Sequence, residues 1–340
     1  MIFISGTASS LSDLRQDIVD ACTSNGWAWN ASKEVISKGN LSATLTLITP
    51  GTSQSRLQLN PGTGIDGAGD ILNRVDGVAC SVRDLGDVPV TWPVSYRIFL
   101  YDNPDLFVLT FNHDGAYHQW MALGQGINLG CTGDSGRVPL FWGTYTPSTV
   151  YFGLGYSGAT SIANQSTAPV GAVVPFFNGG NYSGRVDYCN AGAFTNEPAA
   201  FNLNNDAANI PWGLLNQHGT AGGPPQGTVF DCLNARCSSY QALLQQPNAW
   251  NGDSALVPIR PLAYRPSGFF SYVFEVPHVR LIRNDYIDDF SIITQGAQQW
   301  MVIPCRRKNV VTRQMGPGSP DPLWAEHSGT FALALPYEGP

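Results

Sequence analysis

Residues with the chemistry to act as nucleophiles, bases or ligands are few in this chain and rarely grouped. Cys131-Thr132-Gly133-Asp134-Ser135-Gly136 has the composition of a turn that presents a serine hydroxyl beside backbone N–H donors. Nucleophilic chemistry there needs a histidine base oriented by a separate aspartate. His113 and His118 lie upstream, but close together in a strand-turn-strand segment. A turn with glycine at positive φ accounts for the string without any chemistry. Gly62-Thr63-Gly64-Ile65-Asp66-Gly67 satisfies GxGxxG, a spacing that cradles a pyrophosphate only when a strand feeds the loop and a helix opens from it. Asn60-Pro61 precedes this loop, and Asn73 and Gly77 interrupt the stretch after it, where the helix would have to run.

Metal ligands fare similarly. Asp66 and Asp70 flank Gly67-Ala68-Gly69 without the twelve-residue loop and closing glutamate of a calcium site. Cys232 and Cys237 form one loose pair, with His218 upstream, where zinc modules present two tight pairs. Asp285, Asp288 and Asp289 bracket Tyr286 and Ile287. Acid/base work on a glycosidic bond needs two carboxyls at a set distance across the sugar, and neighbours in one loop read as solvated turn residues. The expectation is no catalytic residue, no metal and no cofactor.

The elements that would position such groups emerge from composition and periodicity. Of 340 residues only 13% are charged, about half the usual share, and the net charge is −7. Lysine occurs three times, at Lys33, Lys38 and Lys308. This excludes an electrostatic nucleic-acid binder, which needs a dense basic face. A hydrophobic content of 43% is enough for a sizeable core and argues against global disorder. The 37 glycines and 24 prolines exclude long helices as the dominant element. Seven scattered cysteines, an odd number, read as buried thiols from a reducing compartment. Met1–Gly6 lacks a basic start and an apolar secretory stretch.

One helix is expected over Leu11–Thr23, where Leu11, Leu14, Ile18 and Cys22 make an apolar stripe. Ser10 with Asp13 fits an N-terminal capping box, and Asn25-Gly26 fits a stop. Leu41, Ala43, Leu45 and Leu47 alternate with Ser42, Thr44 and Thr46, as in a half-buried strand. Residues 94–101 and 106–112 flank Asp102-Asn103-Pro104-Asp105 as a hairpin. Tyr117–Leu123 adds a strand. Short strands are expected at 150–156, 172–177, 270–276, 279–283, 299–305 and 330–335, and a short helix at 237–245. The fold class is therefore α+β, predominantly antiparallel β, with a short N-terminal helix and long Gly/Asn/Pro-rich loops. Residues 1–90 are expected to form an N-terminal α+β unit, and 91–340 a β-rich domain with a loop-rich insertion around 157–255.

The chain also contains a charge desert. No Asp, Glu, Lys or Arg occurs from Val138 to Gly184, and a second neutral stretch runs from Ala207 to Phe230. Both are broken by Pro, Gly and Asn, so neither is a membrane span. The first holds Phe141, Trp142, Tyr145, Tyr151, Phe152, Tyr156, Phe176, Phe177 and Tyr182. Rings without charges are what interface cores favour, so these nine are the candidate assembly surface. Trp27, Trp29, Trp92, Trp142, Trp212, Trp250 and Trp324, beside turn residues, suit either core packing or stacking on sugars.

Three stretches carry a resemblance. The opening SGTASSLSDLRQDIVDACTSNGWAW with LSATLTLI, the central NPDLFVLTFNHDGAYHQWMALGQG, and the closing WMVIPCRRKN with HSGTFALALPYEGP are similar to structural proteins of tailed-bacteriophage virions, of the tail, baseplate or neck type. The resemblance implies a protein made in the bacterial cytoplasm and built into the virion, without cofactor or enzymatic activity. It implies partners among other virion proteins and copies of itself in a symmetric assembly, with no nucleic acid and no membrane insertion. A host-surface glycan is a further expected partner if the protein is peripheral. Two alternatives remain at this stage, a receptor- or glycan-binding module and a hydrolase acting on polysaccharide or peptidoglycan.

Overall fold

The structure, a computed structural model, describes residues 1–49, 55–74, 79–83, 90–113, 117–129, 137–143, 191–194, 212–214, 230–231, 256–260, 262–264, 270–272, 274–283, 287–304 and 331–339. The expected strands at 150–156 and 172–177 and the helix at 237–245 lie outside these residues.

The chain opens with β1 (Ile2–Ala8) and α1 (Leu11–Thr23). The helix forms where its stripe predicts, with Leu11, Leu14, Ile18, Val19, Ala21 and Cys22 buried. Ser10 Oγ accepts the Asp13 N–H at 3.1 Å. The reciprocal arm differs from a simple box: Asp13 Oδ2 accepts from the N–H and hydroxyl of Ser9, one residue further back. Those bonds hold the Asp13 carboxyl below its ordinary pKa. At the far end Asn25 donates to the Cys22 carbonyl, and Gly26 takes φ +83° to turn the chain away.

Five antiparallel strands come next as a meander: β2 (Ala28–Asn30), β3 (Val35–Lys38), β4 (Leu41–Ile48), β5 (Arg56–Thr63) and β6 (Cys80–Arg83). β4 is not the half-buried strand its alternation suggests. Ser42 and Thr44 are buried along with Leu41, Ala43 and Leu45, and Ser42 Oγ donates to the Gly64 carbonyl. The outward face is covered by the 64–72 loop, which the alternation alone does not reveal.

The second sheet is the larger, with twelve strands among the described residues. β7 (Val94–Tyr101) and β8 (Leu106–His113) form the expected hairpin, with Tyr101 opposite Leu106 and Asn103 at φ +52° in the turn. β9 (Tyr117–Asn128) and β10 (Arg137–Gly143) continue the sheet antiparallel, and β11 (Ala191–Phe194) and β12 (Trp212–Leu214) extend it beyond β10. β13 (Phe230–Asp231), β15 (Leu262–Tyr264) and β16 (Phe270–Tyr272) make a separate three-stranded sheet, while β14 (Val257–Ile259) joins β17 (Phe274–Arg283). β18 (Ile292–Gln295), β19 (Gln298–Pro304) and β20 (Phe331–Pro336) complete the order β1-β7-β8-β9-β17-β20-β19-β18. β17 runs through positions expected to separate two strands. Pro277 and His278 sit in it as a bulge, with His278 at φ +57° and the pairing register with β14 jumping between Pro258 and Ile259.

The large sheet curls into a half-barrel, and strands β7–β10 are buried on both faces. Their inner face (Phe99, Tyr101, Leu106, Val108, Trp120, Ala122, Leu140) packs against Val257, Phe274, Val279, Leu281, Met301, Ile303, Leu333 and Leu335 from the later strands. Their outer face (Ile98, Leu100, Phe107, Leu109, Phe111, Met121, Leu123) packs against α1 and the five-stranded sheet. Burial on both sides explains why these strands read as near-continuous apolar runs. Residues on both sides of position 90 share this second core, and β1 is hydrogen-bonded to β7 from Ile2–Leu100 to Ala8–Val94. Sheet and core therefore run continuously across the boundary expected near residue 90.

Candidate functional site

The inner face of the half-barrel changes character along its strands. In an antiparallel pair, opposed residues share a face. Ser95, Arg97 and Phe99 of β7 oppose Asn112, Thr110 and Val108 of β8, and Asn112, Thr110 and Val108 oppose His118, Trp120 and Ala122 of β9. One end of this face is apolar. At the other end five polar residues replace the apolar ones: Ser95, Arg97, Thr110, Asn112 and His118.

The apolar end is closed by fixed bonds. Tyr101 Oη donates to the Pro336 carbonyl at 2.9 Å, and Trp120 Nε1 to the Pro304 carbonyl at 3.1 Å. The Tyr101 and His278 rings stack with centroids 4.6 Å apart. Phe3 meets Tyr337 edge-on at 5.1 Å, beside the Met1 ammonium–Glu338 pair at 3.6 Å. Burial, reinforced by Arg280, the Met1 ammonium and Arg137, lowers the His278 pKa against a bond to the Pro104 carbonyl that raises it. This imidazole is neutral at pH 7. Lys38 of β3 reaches Asp102 and Asp105 at 2.7 and 2.9 Å, pinning the β7–β8 turn to the smaller sheet.

The polar end, the mouth of the half-barrel, is where the inner face meets water: Ser95 is exposed, and Arg97 and Asn112 are half-buried. His118 is fully buried, and its Nε2 lies 3.2 Å from Asn112 Nδ2 and 3.3 Å from Asp289 Oδ2. A proton on Nε2 goes to Asp289, which only accepts; a bare Nε2 accepts from the Asn112 amide. Asp289 belongs to the turn before β18, which the β19 backbone holds: Phe290 N–H donates to the Val302 carbonyl, and Val302 N–H to the Ser291 carbonyl. Phe290 has φ +61°, a region that bulky side chains rarely occupy. Its ring tilts against His118 at 5.3 Å and lies under the Arg97 guanidinium, 3.4 Å from Cζ to the ring centroid. Burial alone pushes the Arg97 pKa below its ordinary value. Thr110, opposite Arg97, is fully buried, and its hydroxyl has no hydrogen-bond partner among the described residues.

Other candidate residues fall elsewhere. Phe141 and Trp142 of β10 are fully buried, one in each core, and the Trp142 carbonyl accepts from Cys80 Sγ at 3.2 Å. These two are therefore interior packing and not assembly surface, because the strand carrying them is covered on both sides. Tyr145, Tyr151, Phe152, Tyr156, Phe176, Phe177 and Tyr182 lie outside the described residues, as do Cys131–Gly136, His218, Cys232, Cys237 and Asp285. Trp27 is buried, and Trp29 and Trp92 are half-buried and pack against the same core. The GxGxxG string ends β5 and enters a turn, not a helix: Gly64 takes φ +81°, and Asp66 Oδ1 accepts from the Ala68 and Asp70 N–H groups. Cys22 and Cys80 are buried free thiols, and burial raises both pKa values.

Asp288 is exposed, as a solvated turn residue is, but Asp289 pairs with a buried histidine across 171 residues of chain. The signal in the sequence is the period-two pair Thr110 and Asn112 inside the otherwise apolar β8, with His118 near the start of the next strand. Among the described residues, no group of three or more His, Cys, Asp or Glu side chains is placed to hold a metal, and no helix is long and apolar enough to cross a membrane. No protein-family model matches the chain, and no curated protein matches it significantly.

Proposed function

We propose that this chain is a structural component of a tailed-bacteriophage virion, in the tail, baseplate or neck, and that it acts by assembling with copies of itself and with other virion proteins. The observation that carries the reading is a pair of strands at two of the ends of the large sheet, β1 and β18. Among the described residues, β1 pairs only with β7, and β18 only with β19. Monomeric proteins blunt such edges with charges, prolines or bulges. β1 (IFISGTA) and β18 (IITQ) contain no charge and no proline, and Ile292 is 40% exposed. Edges of this kind favour strand addition between chains. The low charge of the whole sequence supports the same reading, and the resemblance drawn from its three stretches is what suggested it.

A lysine at each edge tests it. Thr7→Lys and Ile292→Lys place charges on exposed positions outside both cores. Native mass spectrometry is expected to show oligomers of the wild-type chain and monomers of the double variant, with both unfolding at the same denaturant concentration. A wild-type chain that stays monomeric at every concentration and gains no partner in particle extracts contradicts the proposal.

A further inference from the structure

We propose that the mouth of the half-barrel is a binding site for an oxyanion group, a carboxylate or a phosphate, received by Arg97 together with Thr110 and Asn112. Three independent features lead there. First, Arg97 sits on the inner face, partly withdrawn from water, and its described contact is with a ring and not with a carboxylate. A guanidinium stacked on an aromatic face keeps its N–H fork free in the plane of the stack, the geometry that takes two oxygens of one anion. Second, the Thr110 hydroxyl is fully buried beside it without a partner. A buried hydroxyl left unmet destabilises the fold, and a valine of the same shape would avoid that cost. Third, Phe290, which sets the plane of the guanidinium, is held at φ +61°. A bulky residue in that region is a strained feature of the kind that clusters at ligand-binding positions.

The neighbouring charge fits this assignment. Asp289 Oδ2 lies 3.3 Å from His118 Nε2, and among the described residues no carboxylate pairs with Arg97. Ser95 and Thr7, exposed cross-strand partners at the rim, and half-buried Asn112 line the approach with neutral donors. The ligand is therefore small at its anionic end and presents its oxygens edge-on to Arg97. An acidic sugar and a phosphorylated group share this chemistry. The inference does not depend on the assembly proposal, because no edge strand residue supplies the grip.

The test uses the full chain and two probes, glucuronate and inorganic phosphate, with glucose and chloride as controls. Binding is followed by the Arg97 Nε–H resonance and by calorimetry. The wild type is expected to bind at least one of the two anions saturably, with Kd below about 1 mM, a modest affinity of about 4 kcal/mol. Arg97→Gln is expected to lose this binding at least about tenfold, and Arg97→Lys to keep a weakened form because a lysine cannot offer the bidentate fork. Thr110→Val should weaken binding while leaving the fold intact, which a purely structural threonine would not do. Preference for glucuronate identifies a sugar acid as the ligand, and preference for phosphate a phosphoryl group. Absence of saturable binding of both anions to the wild type, or equal binding by Arg97→Gln, overturns the proposal whatever the oligomeric state.

Discussion

Replacing Thr110 by valine should stabilise the protein, and the sign of that change is a sharp test of how the mouth is built. Thr110 is fully buried in the middle of β8, between Arg97 on one strand and Trp120 on the other. Both threonine and valine are β-branched and suit a strand, so the backbone has no reason to respond. What changes is one hydroxyl, which has no partner among the described residues. An unmet buried hydroxyl costs about 1–3 kcal/mol, and exchanging it for a methyl removes that penalty and adds apolar contact. The expected gain is about 1–2 kcal/mol. Thr110→Ser is the control: it keeps the hydroxyl, deletes a buried methyl, and should cost about 1 kcal/mol. Urea unfolding monitored by tryptophan fluorescence reads both, as shifts of midpoint at constant slope. A valine variant less stable than wild type by more than about 0.5 kcal/mol would mean that the hydroxyl is satisfied within the fold. The reasoning that leaves it for a ligand would then fail.

Other perturbations have equally definite outcomes. Ile18, fully buried between α1 and the sheets, should cost about 2–5 kcal/mol when cut to alanine, measured by the same titration. A loss under about 0.5 kcal/mol would show that the helix does not pack there. A Cβ at Gly143 would stand 2.7 Å from Cys80 Cβ and 3.0 Å from the Trp120 carbonyl, so Gly143→Ala should destabilise by about 1–3 kcal/mol by prying β10 from β6. An unchanged midpoint would place the two sheets further apart than described. Burial depresses the pKa of His278 below its usual 6.5. The unfolded chain then takes up a proton that the folded chain refuses, so stability is full above pH 6.5 and falls as pH drops from there towards the depressed folded value. His278→Phe should flatten that part of the profile; an identical slope in the variant would refute the assignment.

Local signals carried much of this fold into the sequence. The stripe at Leu11, Leu14, Ile18 and Cys22 located the helix to its ends, and the turn at Asp102–Asp105 located the β7–β8 hairpin, because both depend on near neighbours. The pairing of β1 with β7 and of β17 with β20 was not legible, since those registers are chosen by residues tens of positions apart. Pro277 breaks the strand pattern and so separates two strands in the sequence, while the surrounding sheet holds β17 together through the bulge. For the site the division is similar. His118 stands out in the sequence, but its partner Asp289 has the local context of a solvated turn residue, and only the curl of the half-barrel brings that turn onto β9. Phe141 and Trp142 show the opposite failure: rings in a charge-free run suggested an interface, yet β10 is covered on both faces by its own chain.

The central claim, that this chain is a built-in part of a phage particle, is tested most directly by quantitative mass spectrometry of purified virions from a host producing it. The account predicts peptides from across the chain in intact particles, retained through density-gradient purification, in several copies per particle when scaled to the major capsid protein. A chain found only in the soluble lysate, or in particles at trace levels that vary with washing, would contradict it.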